Sequence, residues 1–223
     1  MKRTVIPELL DDDLGAPQEI AASPADLRRI NRWFGGIATT ESMVRRVVAQ
    51  TGSRELSLLE VGAGSGDVPN EVRRRLSSSG IRLKLTLLDR QASHLSNGRH
   101  ANGATAVVGD ALSLPFSSGV FDVVSCGLFL HHLEPAETQQ FAREALRVSR
   151  NAVLINDLDR NALHLALIYA GFPLHSRITR HDSVASVKRA YTAQEIREML
   201  APVAPRIQIT HHYLFRLGVI LWK

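Results

Sequence analysis

The chain has 223 residues, enough for one α/β domain with a sizeable core. Its 44% apolar and 22% charged residues are ordinary for a globular protein and exclude a disordered or fibrous chain, while no uninterrupted apolar stretch reaches the ~18 residues of a membrane helix. A net charge of +5 and a pI near 9.9 raise the question of nucleic acid, but the basic residues are scattered (Arg28-Arg29, Arg45-Arg46, Arg73-Arg74-Arg75, Lys188-Arg189) without interleaved aromatics. They read as solvated helix faces, and no nucleic-acid partner is expected. The single cysteine, Cys126, cannot form an internal disulfide. Met1 to Pro7 has no apolar core before Asp11-Asp12-Asp13, so no signal peptide and a cytoplasmic location are expected.

Residues 1–23 read as an irregular, partly acidic arm. Ser23-Pro24-Ala25-Asp26 is a helix start, with a cap, a proline in the first turn and an acid; the helix runs to Phe34 and stops at Gly35-Gly36. Thr39-Thr40-Glu41 opens a second helix, with Met43, Val44, Val47 and Val48 on one face. Leu56 to Val61 has the length and composition of a buried strand, and Val68 to Leu76 reads as a helix. Between them stands Glu60-Val61-Gly62-Ala63-Gly64-Ser65-Gly66. Glycines at alternate positions permit a tight turn and close approach of a ligand to the backbone, and the helix start turns its N–H groups toward that ligand. A second apolar run, Ile81 to Leu88, ends at Asp89, where a carboxylate can accept both hydroxyls of a ribose.

This spacing differs from the dinucleotide fingerprint G-x-G-x-x-G. The acid two residues before the first of three alternating glycines resembles motif I of the class I S-adenosylmethionine (SAM) methyltransferases. The resemblance extends over residues 36–222: Gly109-Asp110-Ala111 after the third strand (104–108), Phe121-Asp122-Val123-Val124 in the fourth (120–126), and two terminal strands, 207–210 and 217–221. "LLEVGAGSG", "DVVSCGLFLHHLEP" and "FAREALRVSR" are similar to the branch holding the ubiquinone/menaquinone C-methyltransferases and many small-molecule O-methyltransferases.

The resemblance implies an α/β, Rossmann-like fold: a seven-stranded, mostly parallel sheet with an antiparallel terminal hairpin and helices on both faces. A single domain spans 1–223, with an arm and lid helices (1–50), a SAM-binding core (55–157), a substrate-covering segment (158–191) and a terminal helix and hairpin (192–223). It also implies SAM as cofactor and S-adenosylhomocysteine (SAH) as product. Glu60, Gly62, Ala63, Gly64 and Gly66 would pass the methionine part, Asp89 and Arg90 the ribose, and Asp110 and Ala111, beside Leu112 and Phe116, the adenine. Cys126, at the end of the fourth strand, would border the cofactor as a small core residue. Asn31, Trp33 and Phe34 would belong to the lid.

The remaining elements follow in order. A helix-like piece covers 92–98; Pro135 to Val148 is a helix; Asn151 to Asn156 is the fifth strand, with Asp157 at its tip; 161–171 is apolar and of helical length. Residues 172–191 read as basic and irregular. Thr192-Ala193-Gln194-Glu195 is a capping box opening the helix that ends at Leu200.

Methyl transfer is an in-line displacement that brings the nucleophile to about 3 Å from the methyl carbon. A phenol or enol must also lose a proton, a task suited to a histidine. His131 and His132, at the end of the fourth strand, are the candidate bases; His164, His175 and His181 lie in the covering segment, and Asp157 either orients a base or caps the next helix. The segment 163–169 either walls a lipophilic pocket or packs as an ordinary helix on the sheet. Asn156-Asp157 makes a poor oxygen cage for magnesium, so no metal is expected. The expected activity is O-methylation, ahead of C-methylation, of a small aromatic, phenolic or polyketide-like acceptor by a monomer or homodimer. The rivals are an RNA or protein methyltransferase and a non-catalytic SAM-binding subunit.

Overall fold

The computed structural model describes residues 1–9, 29–32, 34–96, 103–171 and 176–223. Seven strands form one sheet: β1 (Glu55–Val61), β2 (Arg82–Asp89), β3 (Thr105–Val108), β4 (Phe121–Gly127), β5 (Ser149–Leu158), β6 (Arg206–His212) and β7 (Arg216–Trp222). Their order is β3-β2-β1-β4-β5-β7-β6. Strands β1 to β5 pair in parallel, and β7 runs antiparallel to both β5 and β6. The chain reverses its direction of winding between β1 and β4, and in open parallel sheets a ligand binds outside the strand ends at that point.

The period of two along each central strand builds a core on each face. Leu56 and Leu58 of β1, Val123 of β4 and Ala152 and Leu154 of β5 point to one side. There they meet Met43, Val44 and Val47 of α1 (Gly36–Thr51) and Val72 and Leu76 of α2 (Asp67–Ser77). Leu59 and Val61, Val124 and Cys126, and Val153 and Ile155 point to the other. They pack under Phe141, Ala142, Ala145 and Val148 of α4 (Pro135–Val148) and Ile196 and Leu200 of α7 (Ala193–Leu200). Each Val, Leu, Ile, Met or Phe side chain among them contributes about 1.5–3 kcal/mol when fully buried.

Helix boundaries follow local chemistry. Pro135 stands in the first turn of α4, and the capping box of Glu134 and Glu137 closes its start; Thr192 and Glu195 do the same for α7. The first helix begins at Gly36, three residues earlier than its Thr-Thr-Glu start suggests, behind Gly35 at φ 79°. Of the expected helix at 26–34, residues 29–32 are helical, while Ser23-Pro24, Asp26 and Trp33 lie outside the described residues. Likewise α3 covers Ala92–Ser96, and the rest of that expected helix lies outside them.

One expectation is corrected and one open alternative is narrowed. Residues 172–191 are not irregular throughout: Arg177–Arg189 is a helix, α6, capped by the Ser176 hydroxyl, which accepts from the Thr179 N–H. Its inner face carries Ile178, Asp182, Ala185 and Arg189 at helical spacing, and the two charged members hide the apolar period. The apolar segment 163–169 leaves no side chain buried against the sheet. It forms α5 (Ala162–Gly171), which has no buried residue and contacts α6. Residues 1–9 are without helix or strand but are docked. The Thr4 N–H donates to Lys188 O at 2.9 Å, Arg3 Nε to Arg189 O at 2.8 Å, and the Leu9 N–H to Asp182 at 2.8 Å. Among the described residues no helix is long and apolar enough to cross a membrane.

Candidate active site

The loop after β1 is shaped by three left-handed glycines, Gly62, Gly64 and Gly66, at φ 65°, 51° and 69°. A Cβ on Gly62 would lie 2.7 Å from the Phe129 ring and one on Gly66 2.6 Å from Leu87 Cδ1, so both positions exclude a side chain. Gly64 has nothing within 4 Å of that position and is the open point of the loop. The Ala63 N–H donates to Leu88 O at 3.0 Å and the Gly64 N–H to Asp89 Oδ2 at 2.8 Å, tying the loop to the end of β2. Asp89 Oδ1 accepts from the Gln91 N–H at 2.9 Å and stands 3.5 Å from His94 Nδ1. Burial alone would raise the Asp89 carboxyl, but His94 and the two backbone donors outweigh it and hold it ionised below its usual range. Glu60, 3% exposed at the end of β1, lies in register with Ser125 of β4. Burial lifts its carboxyl to about 7, partly offset by Ser125, and its Oε2 has no hydrogen-bond partner.

Further along this edge, Arg90 is exposed, and Asp110 is exposed with one oxygen accepting the Leu112 N–H at 2.9 Å. Ala111 is half-buried, and Val108 beside them leaves an apolar surface 58% exposed. Phe116 packs edge-on against Phe121, 4.9 Å between centroids. Cys126 is the small core residue expected at the end of β4. It is 1% exposed within the core under α4, and burial, with Glu60 and Asp157 nearby, pushes its thiol well above the ordinary value. Its side chain offers a ligand no polar group.

On the other side of the switch point, the chain leaves β4 through Leu128 at φ 53° and a short 3-10 turn, Leu130–His132. His131 is 2% exposed; its Nδ1 lies 2.7 Å from Asp157 Oδ1, and its backbone N–H donates to Asp157 Oδ2 at 3.1 Å. Asp157 thus orients this histidine rather than capping the following helix. The other ring nitrogen, Nε2, is 3.4 Å from Glu8 Oε1, and His132 Nε2 is 3.9 Å from the same oxygen. Glu8 is held by the Ser186 hydroxyl, which donates at 2.7 Å. Burial lowers the His131 pKa, but the two carboxylates overcome it and raise it to about 9, so His131 is an imidazolium at neutral pH. A proton held this firmly makes His131 a poorer candidate base than His132. Among the described residues Glu8, His131 and His132 are the group whose metal-type donor atoms converge, within 4.8 Å of one another.

The remaining histidines are dispersed. His164 stacks on Phe215 at 5.1 Å, and its pKa falls to about 4, chiefly by burial and further by Arg216, against a contact with Asp159 O. His181 pairs with the adjacent Asp182 at 2.9 Å, and His175 lies outside the described residues. Sequence reasoning missed Glu8 and Arg216. Each is one charged residue in a segment with no motif, and only the tertiary fold brings it to the site.

Residues 58–152 match the family model described as a methyltransferase domain. Solved structures of similar fold include the plantazolicin methyltransferase BpumL in complex with SAH and a monoazolic desmethylPZN analog. It is 15% identical over 96% of this chain and 92% of that one, with a TM-score of 0.76. The plantazolicin methyltransferase BamL, in complex with SAH and a triazolic analog, is 17% identical over 87% and 73% of the two chains, with a TM-score of 0.67. A SAM-dependent methyltransferase from Aquifex aeolicus is 16% identical over 78% and 87%, with a TM-score of 0.57. No curated protein matches the chain. Residues 58–152 thus form a methyltransferase domain, and the chain shares its fold with SAM-dependent methyltransferases. The matched domain is that of an enzyme with SAM as methyl donor, and it runs from β1 into β5, through the glycine loop, Asp89 and the His131–His132 turn.

Proposed function

We propose that this methyltransferase moves the SAM methyl group to an oxygen of a small aromatic, phenolic or polyketide-like acceptor. The observation that carries this reading is a juxtaposition at the carboxyl ends of the strands. An open glycine loop braced on Asp89 faces, across the switch point, two histidines set among carboxylates.

A carboxylate has about four lone-pair positions, so Asp89 retains acceptor capacity for both ribose hydroxyls after taking the Gly64 and Gln91 N–H groups. Glu60, with its unpartnered Oε2, receives the SAM ammonium, whose charge favours the ionised carboxylate. Asp110 and the main chain of Ala111 hold the adenine edge, with the exposed Val108 as an apolar wall. Arg90 flanks the ribose.

His132, 22% exposed at its side chain, is the base that takes the acceptor's hydroxyl proton. SAM, when bound, would supply its methyl group to the freed oxygen and leave as neutral SAH.

Calorimetric titration with SAM, SAH and NAD tests the cofactor half. Saturable binding of the first two alone is expected, and a folded protein that binds neither overturns the reading. Transfer of labelled methyl to a panel of phenols tests the acceptor half. His132→Ala is expected to keep SAM affinity and lose turnover of any phenol accepted; full turnover removes His132 as the base.

A further inference from the structure

Arg216 is the largest fully buried side chain among the described residues, 2% exposed at the start of β7. Its Nε donates to Phe34 O at 3.3 Å and its Nη2 to Asn31 Oδ1 at 3.1 Å, while Nη1 is buried with no hydrogen-bond partner. Among the described residues no carboxylate forms an ion pair with it. The acid whose field reaches it, Asp157, is already committed to the His131 ring and two main-chain N–H groups. An uncompensated buried cation is costly, and burial lowers the Arg216 pKa to about 10. The two residues before it, Leu214 and Phe215, hold left-handed backbone at φ 51° and 58°, unusual for side chains of this size. The stacked His164 and Phe215 rings add no negative charge.

The place of this cation decides what it meets. Arg216 is paired with Leu158 at the carboxyl end of β5. Its strand lies two positions beyond β4, roughly 10 Å at the ordinary strand spacing. The glycine loop and Asp89, on β1 and β2, lie on the opposite side of β4.

We propose that Arg216 receives an anionic oxygen group of the methyl acceptor, a carboxylate or its equivalent, so that the acceptor is an acid. This rests on the reading of the site given above and narrows it: the acceptor binds with its acidic group over β5 and β7 and its reacting oxygen toward His132 and the SAM methyl group. SAM carries a carboxylate of its own, and the test separates the two sources.

The probes are 4-hydroxybenzoate, 3-hydroxybenzoate and the amides of both, titrated calorimetrically into the protein saturated with SAH. The wild type is expected to bind at least one acid about tenfold or more tighter than its amide, the scale of a buried charge pair. Arg216→Gln is expected to abolish that preference and Arg216→Lys to retain part of it, with SAH affinity within about twofold of the wild type in both, which also shows that the variants fold. Equal binding of acid and amide, no binding of either acid, or a preference surviving in Arg216→Gln overturns the proposal. Loss of SAH affinity in Arg216→Gln also overturns it, since the anion is then the cofactor's carboxylate. A wild type that does not bind SAH at all refutes the methyl-transfer reading instead.

Discussion

On the β1–β2 side of the switch point, functional groups are held by the backbone. Gly64 and Gln91 offer N–H groups to one carboxylate, and glycine φ values set the loop. On the β4–β7 side, side chains hold one another across long separations. Glu8 reaches His131 from the docked arm, Leu9 bonds to Asp182 across 173 residues, and Arg216 to Asn31 across 185. The proposed cofactor side is written in a short motif. The proposed acceptor side depends on charges buried against each other. Buried charges paired in this way make the acceptor side the more fragile half.

Asp157→Ala is the severest challenge to that contrast. Removing the nearer of its two carboxylates leaves the buried His131 charge with Glu8 alone, at a cost approaching the about 3–5 kcal/mol of a broken buried pair. A denaturation midpoint that falls accordingly is expected; a loss below ~1 kcal/mol would mean that the acceptor side does not rest on this pair. The same pair predicts a pH response. The folded pKa of His131, about 9, lies above the 6.5 of a free histidine. Its stabilising contribution is therefore complete below pH 6.5 and lost as the pH rises through about 9. The slope of unfolding free energy against pH across that window, integrating to about 3 kcal/mol, should vanish in His131→Asn.

Asp89→Ala tests the other half. It removes the acceptor of the Gly64 and Gln91 N–H groups and the proposed partner of the ribose, and it should weaken SAM binding by about 1.5–3 kcal/mol, the scale of hydrogen bonds to a charged group. Calorimetry that finds unchanged affinity in the folded variant would detach Asp89 from the cofactor. Acid–amide discrimination at Arg216 should survive this variant at saturating SAH, because the two sites lie on opposite sides of β4.

This contrast explains what the sequence made legible. The three glycines, the acid before them and Asp89 stand within one βαβ unit, where spacing determines geometry. The helix at Pro135–Val148 was readable to the residue because its proline, its capping acid and its apolar stripe agree. Helix α6 was not, since Asp182 and Arg189 occupy its buried face and break the hydrophobic period. Glu8 and Arg216 had no local mark at all. A lone charged residue reads as solvated until the fold removes its water.

Thr192→Ala gives the smallest expected change and tests whether local devices cost less than distant ones within the same half. Thr192 accepts the Glu195 N–H at 3.3 Å and returns its own N–H to Glu195 Oε2 at 2.8 Å, a capping box spanning three residues on the acceptor side of the sheet. Glu195 also pairs with Arg160, 2.7 Å away, so part of the helix start keeps its anchor when the hydroxyl is lost. Losing the cap should cost ~1 kcal/mol, with SAM affinity and the preference for acids over amides unchanged. A cost as large as that of Asp157→Ala would show that fragility belongs to this side of the sheet as a whole, not to its buried charge pairs.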